Sequence, residues 1–354
     1  LHYRNDHPIF RDPIYYNADW YLDNPGGITN LAPYLQVQYS PMENLKLIAG
    51  LRMQYSPDYS FSIRYAYDTA VFKDPYFTNH YIHYKYKPDK FELVPRLALI
   101  YSFNDENILK ILYGKAMKNP SFESVTDAST RGFNVQPEFI NTLEVNYTAR
   151  FGRTFKAGGS VFLNYLDDLI VRKLLFEYLP NDTNLYSVLG NGANRKSMGA
   201  ELSLSWTPFR NLSLQAAATY QETSARNTET DSLKVPYSPP LLAYVNLNWE
   251  PFESVHLSLT STFVDKMITG WDPQRRNENK TMGDYYGDPG KSYFNLGANL
   301  RLDPILNSRW YANLHITNLL NSTQYYPTTN FSSWANKGIL RPDRAFLFTL
   351  GVRF

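Results

Sequence analysis

The sequence predicts an all-β fold, a transmembrane antiparallel up-and-down β-barrel, on three observations. Apolar and polar residues alternate with period two in segments of about ten residues, the length a tilted strand needs to cross a bilayer. Short and long connections between these segments alternate strictly along the chain, as in barrels with short turns on one side and long loops on the other. Aromatic residues make up 16% of the 354 positions, and Tyr and Trp favour strands and membrane–water interfaces.

Thirteen strands are expected, near 31–40, 44–55, 91–103, 106–116, 138–149, 154–165, 193–206, 211–221, 241–250, 254–264, 291–302, 309–318 and 345–354. In 193–206, Met198, Ala200, Leu202, Leu204 and Trp206 form one row, opposed by Arg195, Ser197, Gly199, Glu201, Ser203 and Ser205. In 211–221, Leu212, Leu214, Ala216, Ala218 and Tyr220 oppose Ser213, Gln215, Ala217, Thr219 and Gln221. In 241–250 the rows are Leu241, Ala243, Val245, Leu247 and Trp249 against Tyr244, Asn246, Asn248 and Glu250. Phe294, Leu296, Ala298, Leu300 and Leu302 then oppose Tyr293, Asn295, Gly297, Asn299 and Arg301. Trp310, Ala312, Leu314 and Ile316 oppose Tyr311, Asn313, His315 and Thr317. The closing stretch "AFLFTLGVRF" sets Phe346, Phe348, Leu350, Val352 and Phe354 against Leu347, Thr349, Gly351 and Arg353. No stretch reads as a long amphipathic helix.

The short connections carry Pro, Asn or acidic residues: "SPMEN", "FNDEN", "ARFGRT", "WTPFRN", "WEPFES" and "LDPILNS". The long ones fall near 56–90, 117–137, 166–192, 222–240, 265–290 and 319–344. A soluble sandwich or propeller is the alternative, but it has no reason to gather every long connection on one side. Energetics then assign the faces. A lipid-facing polar row would put Glu201 and Arg195 in or near hydrocarbon, where a basic residue costs roughly 2–4 kcal/mol at the midplane. The apolar rows therefore face lipid, and Glu201, Asn246, Asn248, His256, Asn299 and His315 face the lumen. Trp206, Trp249, Trp310 and Tyr220, near strand ends, suit the interfacial girdles.

Composition excludes several classes. With no cysteine, neither a disulfide framework nor a thiolate metal site is available. A formal charge of +2, from 35 basic and 33 acidic residues, argues against a nucleic-acid partner. No apolar run of about 18 residues exists to make a transmembrane helix. The opening "LHYRNDHPIF" does not read as a signal peptide.

The chain resembles the carboxy-terminal part of the barrel of TonB-dependent outer-membrane receptors. The likeness lies in "LKLIAGLRMQYS", "FELVPRLALIYSF", "LKILYGKAMKNPSFES", "PEFINTLEVNY", "NRKSMGAELSLSW", "HITNLLNSTQYYP" and "FLFTLGVRF", which span nearly the whole chain in the family's order. The Pro-Ser segment after a Gly-Lys-Ala strand end, and the Asn-Leu-Leu-Asn approach to a Tyr-Tyr pair, are its most specific parts. The resemblance implies TonB-powered uptake of a scarce nutrient across the outer membrane of a gram-negative bacterium. A ferric siderophore or similar chelate is the leading cargo, with an oligosaccharide or peptide as the alternative. It further implies a plug domain and a TonB-contacting segment, neither visible in this sequence, and allows a surface lipoprotein partner. Barrels of this class have 22 strands around a plugged lumen. Thirteen are an odd set, so the chain is expected to be the last part of a larger protein. The resemblance also makes Phe354 a signal read by the barrel-assembly machinery. A passive porin and a barrel enzyme are the rival readings from other classes.

No catalytic set and no cofactor site is expected. His80 and His83, in "NHYIHYKYK", are a weak metal pair, more simply read as a polar aromatic loop. Residues 118–138 hold no histidine where a haem receptor of the family is expected to have one. Asp167 and Asp168 form an acidic pair at a loop edge, and Asp265, Asp272, Asp284 and Asp288 are too scattered for calcium. "GNGANR" reads as the edge of a loop, with no helix following to make a phosphate cradle. For the ligand, loop 265–290 offers Trp271, Arg275, Arg276, Tyr285 and Tyr286, and loop 75–87 adds Tyr76, Tyr81, Tyr84 and Tyr86. Aromatic faces beside cations stack on aryl or sugar rings and pair with acidic groups. Five basic and five acidic residues between 265 and 291 leave that loop no strong field for an anion.

Overall fold

The computed structural model describes residues 3–4, 19–23, 28–66, 80–88, 91–130, 132–179, 182–226, 232–235, 237–267, 291–306, 308–326 and 339–353. The alternating segments become one antiparallel sheet. Its strands are β1 (Tyr34–Met42), β2 (Leu45–Tyr55), β3 (Phe91–Asn104), β4 (Asn107–Lys118), β5 (Glu138–Phe151), β6 (Phe155–Leu179) and β7 (Asp182–Phe209). They continue with β8 (Leu212–Arg226), β9 (Leu241–Phe252), β10 (Val255–Val264), β11 (Tyr293–Leu302), β12 (Trp310–Thr317) and β13 (Ala345–Val352). Each pairs with the next in chain order, and a short strand Ser232–Lys234 adds to the end of β8. All thirteen expected segments are present, most with ends moved by a few residues, while β6 and β7 run more than ten residues further at their shared end. Among the described residues β1 and β13 each have one partner and form the edges of the sheet.

The short turns are closed by local side chains. Asn104 Oδ1 accepts the Glu106 N–H and the Asn107 amide, each at 2.9 Å, which fixes the β3–β4 turn. Gly152, at φ 62°, supplies the left-handed residue of the β5–β6 turn.

Register keeps the rows apart across many strands. One polar rung runs Ser213, Asn248, Ser258, Asn299, His315 from β8 to β12. The neighbouring apolar rung runs Leu212, Trp249, Leu257, Leu300, Leu314, Phe348 from β8 to β13. A one-residue slip would throw polar groups onto the apolar face, so the pattern itself pins the pairing. Leu202 is 64% exposed, and Phe346 and Phe348 are 63% and 64% exposed. A contiguous apolar face of this kind is unfavourable in water and needs a nonaqueous covering.

The long connections depart from expectation. Residues 166–192 are not an irregular loop, for β6 and β7 continue past it as a hairpin paired from Leu169↔Ala193 to Leu179↔Asp182. The ladder shifts register between Leu166 and Ile170, where Asp168 takes φ 56°. That bulge breaks the phase of the alternation, so a period-two reading stops there. "GNGANR" therefore lies inside a strand. Residues 59–66 and 80–86 are also strands, joined with Asp19–Asp23 and Tyr3–Arg4 in a separate four-stranded sheet. Helix α1 (Phe122–Thr130) occupies the middle of 117–137. Ser121 Oγ accepts the Ser124 N–H at its start. Gly132 at φ 75° ends it, with Phe133 N–H bonded to Ala128 O and Gly132 N–H to Ser129 O, a Schellman pattern.

Candidate functional site

At the long-connection end three segments are bound into one cap. Its centre is Phe61, Tyr86, Val125, Ala128 and Val135, ringed by Tyr59, Tyr84, Phe122 and Ile170. Phe61 stacks on Tyr84 with ring centroids 5.3 Å apart and meets Phe122 edge-on at 5.1 Å. Burial pushes the Tyr59 hydroxyl up to about 12 and also raises that of Tyr84. Polar ties reinforce the packing. Leu189 N–H donates to Asp127 Oδ2 at 2.6 Å, linking the β6–β7 hairpin to α1. Asn191 accepts the Gln136 N–H at 2.6 Å and donates to Gln136 O at 2.9 Å and Asp168 O at 2.5 Å.

The expected ligand residues scatter against this frame. Trp271, Arg275, Arg276, Tyr285 and Tyr286 lie outside the described residues, as do Tyr76 and Phe354. Tyr81 pairs with Arg64 in the cap sheet, and Tyr84 uses a ring face against Phe61. His83 Nδ1 lies 2.7 Å from Ser62 Oγ. Among the described residues no group of three or more metal-ligating His, Asp or Glu side chains comes together. Asp167 accepts from Asn141 at 3.4 Å, and Asp168 shapes the β6 bulge, so this acidic pair has structural partners.

On the sheet, Ser258 Oγ donates to Asn248 Oδ1 at 2.6 Å and Thr260 Oγ1 to Asn246 Oδ1 at 3.4 Å. Ser160 Oγ donates to Glu201 Oε2 at 3.5 Å, and His256 Nδ1 lies 3.1 Å from Glu250 Oε1. Sequence reading missed a concavity on the polar face of β1 to β4. Asn30, Tyr34, Arg52, Gln54, Arg96 and Asn119 line this cavity of about 630 Å³. The charged residues of "LKLIAGLRMQYS" were the available signal, but nothing in the sequence gave the hollow beside them.

The Asn-Leu-Leu-Asn stretch has a physical reason. Asn318 and Asn321 adopt φ 47° and 50°, a left-handed conformation that Asn tolerates better than most residues. Asn318 Oδ1 accepts the Ser322 N–H at 3.1 Å, and Asn321 Oδ1 accepts the Arg344 N–H at 3.1 Å beside β13. Gln324, nearly buried, donates to Phe294 O at 3.1 Å. Together they tie the end of β12 to β11 and to the approach of β13.

At the short-turn end Asp303 binds Arg301 and Arg353, the latter at 2.6 Å, and both guanidinia lie over the Tyr311 ring. The hydrogen bond from Arg301, with the charge of Arg353 added, holds the Asp303 carboxyl below its ordinary value. A lowered carboxylate stabilises the fold above its unfolded pKa, and this is lost as pH falls through the folded value. Acidification below about pH 4 is therefore expected to loosen the end of β13, raising hydrogen exchange at Arg353 N–H, which bonds to Arg309 O. Asp303→Asn should remove that acid dependence. An unchanged acid profile in the variant would assign the loosening to other groups.

The family described as "TonB dependent receptor-like, beta-barrel" matches residues 1–319. Unliganded ferric citrate transporter FecA superposes with a TM-score of 0.64 at 17% identity, covering 95% of this chain and 46% of that one. The ferric-catecholate import receptor Fiu from K12 E. coli gives 0.62 at 13% identity, covering 95% and 45%. The copper transporter OprC gives 0.58 at 16% identity, covering 94% and 48%. The chain spans less than half the length of each of these structures. A search of curated sequences finds no significant match. The structural likenesses establish the fold; with the family match over most of the sequence, the chain belongs to the TonB-dependent receptor β-barrel family.

Proposed function

We propose that this chain forms the carboxy-terminal wall of an outer-membrane active transporter that takes up a ferric siderophore or a similar metal chelate with energy from TonB. The family match carries the reading. It removes the barrel-enzyme alternative, since the family and its structural neighbours are receptors and transporters. Barrels of this family are outer-membrane proteins of gram-negative bacteria, which suits the exposed apolar face. The cargo follows the descriptions of FecA, Fiu and OprC, all of which handle metals. The plug and the TonB-contacting segment are assigned to other parts of the complete receptor. Trp271, Arg275, Arg276, Tyr285, Tyr286 and Tyr81 are proposed outer contacts on side-chain chemistry alone. The test is uptake of radiolabelled ferric chelates by cells carrying the complete receptor, with and without TonB. TonB-dependent accumulation is expected; energised uptake of sugars or peptides in its place would transfer the reading to the alternative cargo.

The facing of the strands is part of this proposal. Met198, Ala200, Leu202 and Leu204 face lipid, and Ser197, Gly199, Glu201 and Ser203 face the lumen. Single cysteines at these positions should differ in reaction with a membrane-impermeant reagent, the second set labelling and the first protected. Equal labelling of the two rows would refute the assignment.

A further inference from the structure

The cavity on the polar face of β1 to β4 has the chemistry of an anion site. Its volume of about 630 Å³ lies inside the roughly 300–1,000 Å³ typical of small-molecule sites. Arg52 stands opposite Val94, and Arg96 stands opposite Gly50. The two arginines are therefore diagonal neighbours on one face, roughly 7–8 Å apart at the backbone. Residues Leu51, Met53, Leu93 and Leu97 take the other face and are exposed apolar groups, so the guanidinia lie on the polar side.

Their neutralisation is incomplete. Arg52 donates to the uncharged Gln54 Oε1 at 2.9 Å. Glu92, on the same row as Arg96, is held by Lys115 Nζ at 3.4 Å. Among the described residues neither Arg52 nor Arg96 has a carboxylate partner. Two guanidinia without a carboxylate among the described residues concentrate positive potential in this concave wall. The planar fork of arginine matches a carboxylate with two parallel bonds. Asn30 and Asn119 add amide donors to the lining, and Gly50 leaves room for the Tyr34 ring beside them. A Cβ at Gly50 would lie 2.8 Å from Tyr34 Oη, so only glycine lets the Tyr34 ring lie there without a shift.

We propose that this hollow is a wall subsite for the carboxylate groups of an anionic chelate, with Arg52 and Arg96 as its two forks. It rests on the uptake reading above and narrows the cargo to a chelate bearing free or metal-bound carboxylates. The probe is ferric citrate, titrated calorimetrically against the purified complete receptor, with Arg52→Gln, Arg96→Gln and their double variant. Removing a charged hydrogen-bond donor should weaken binding at least about tenfold per arginine. Arg52→Lys with Arg96→Lys should recover only part of the loss, because charge returns without the fork. Heat-modifiable mobility reports the folded barrel in each variant. Should the double variant fail to insert, Arg96→Gln decides the matter, since that guanidinium has no ion-pair partner to lose among the described residues.

Equal affinity in wild type and Arg96→Gln overturns the subsite, as does wild-type receptor that binds neither ferric citrate nor free citrate. The two readings fail separately. Citrate binding through the arginines without energised uptake of any ferric chelate keeps the subsite and removes the transport reading. Energised ferric uptake with citrate affinity unchanged in the variants does the reverse.

Discussion

Deleting residues 346–354 from the complete receptor is expected to abolish its insertion in the outer membrane. β13 pairs with β12 through eight residues, from Trp310↔Val352 to Thr317↔Ala345. Without it, the outer backbone edge of β12 loses its partners. An unsatisfied backbone group in hydrocarbon costs several kcal/mol. A few such groups already exceed the roughly 5–15 kcal/mol of net stability of an ordinary protein. The deletion also removes Phe346, Phe348 and Leu350 from the apolar face and frees Asp303 from Arg353. Heat-modifiable receptor in the outer-membrane fraction is the measurement, and normal amounts would contradict the argument. Phe354→Ala, which leaves the ladder intact, tests the terminal aromatic separately. A comparable loss from that single change would place the effect in recognition by the assembly machinery and not in pairing.

The barrel wall was legible because a bilayer leaves a strand little choice. One face must be apolar for the whole crossing, so the period-two signal is continuous through segments such as 193–206 and 241–250. The cap was not legible, and the reasons differ by element. At Asp168 a bulge resets the alternation, so the outer half of the β6–β7 hairpin reads as loop although its pairing continues to Leu179. The helix around Val125 has nine residues, too few turns for a periodic signal. The strand at His80–Tyr86 has tyrosine at both odd and even positions of its sequence, which hides its alternation. The candidate site divides in the same way. Polar rows such as Asn246, Asn248 and Asn299 could be listed from spacing alone. That Arg52 and Arg96 lack acidic partners among the described residues could not, because it depends on Glu92 of β3 being engaged by Lys115 of the neighbouring β4.

The cap also carries the second large expectation. Phe61 is 1% exposed and packs against Tyr84, Phe122 and Tyr59, while Val125, Ala128 and Val135 are completely buried beside it. Phe61→Ala should cost the cap about 3–5 kcal/mol, the range for emptying a buried aromatic site. The barrel draws its stability from the sheet ladder and from lipid, so the loss should stay local. The cap sheet, α1 and the β6–β7 hairpin should separate while β1 to β13 keep their pairing. Limited proteolysis of whole cells would then cut near residues 56–90 or 166–192 in the variant and spare the wild type, with heat-modifiable mobility unchanged in both. Phe61→Leu, which refills most of the volume, should restore protection. If Phe61→Ala instead lowers the amount of folded barrel, the cap contributes to assembly of the wall. If protease resistance is unchanged, the polar ties of Asn191 and Asp127 hold the cap together without its apolar centre.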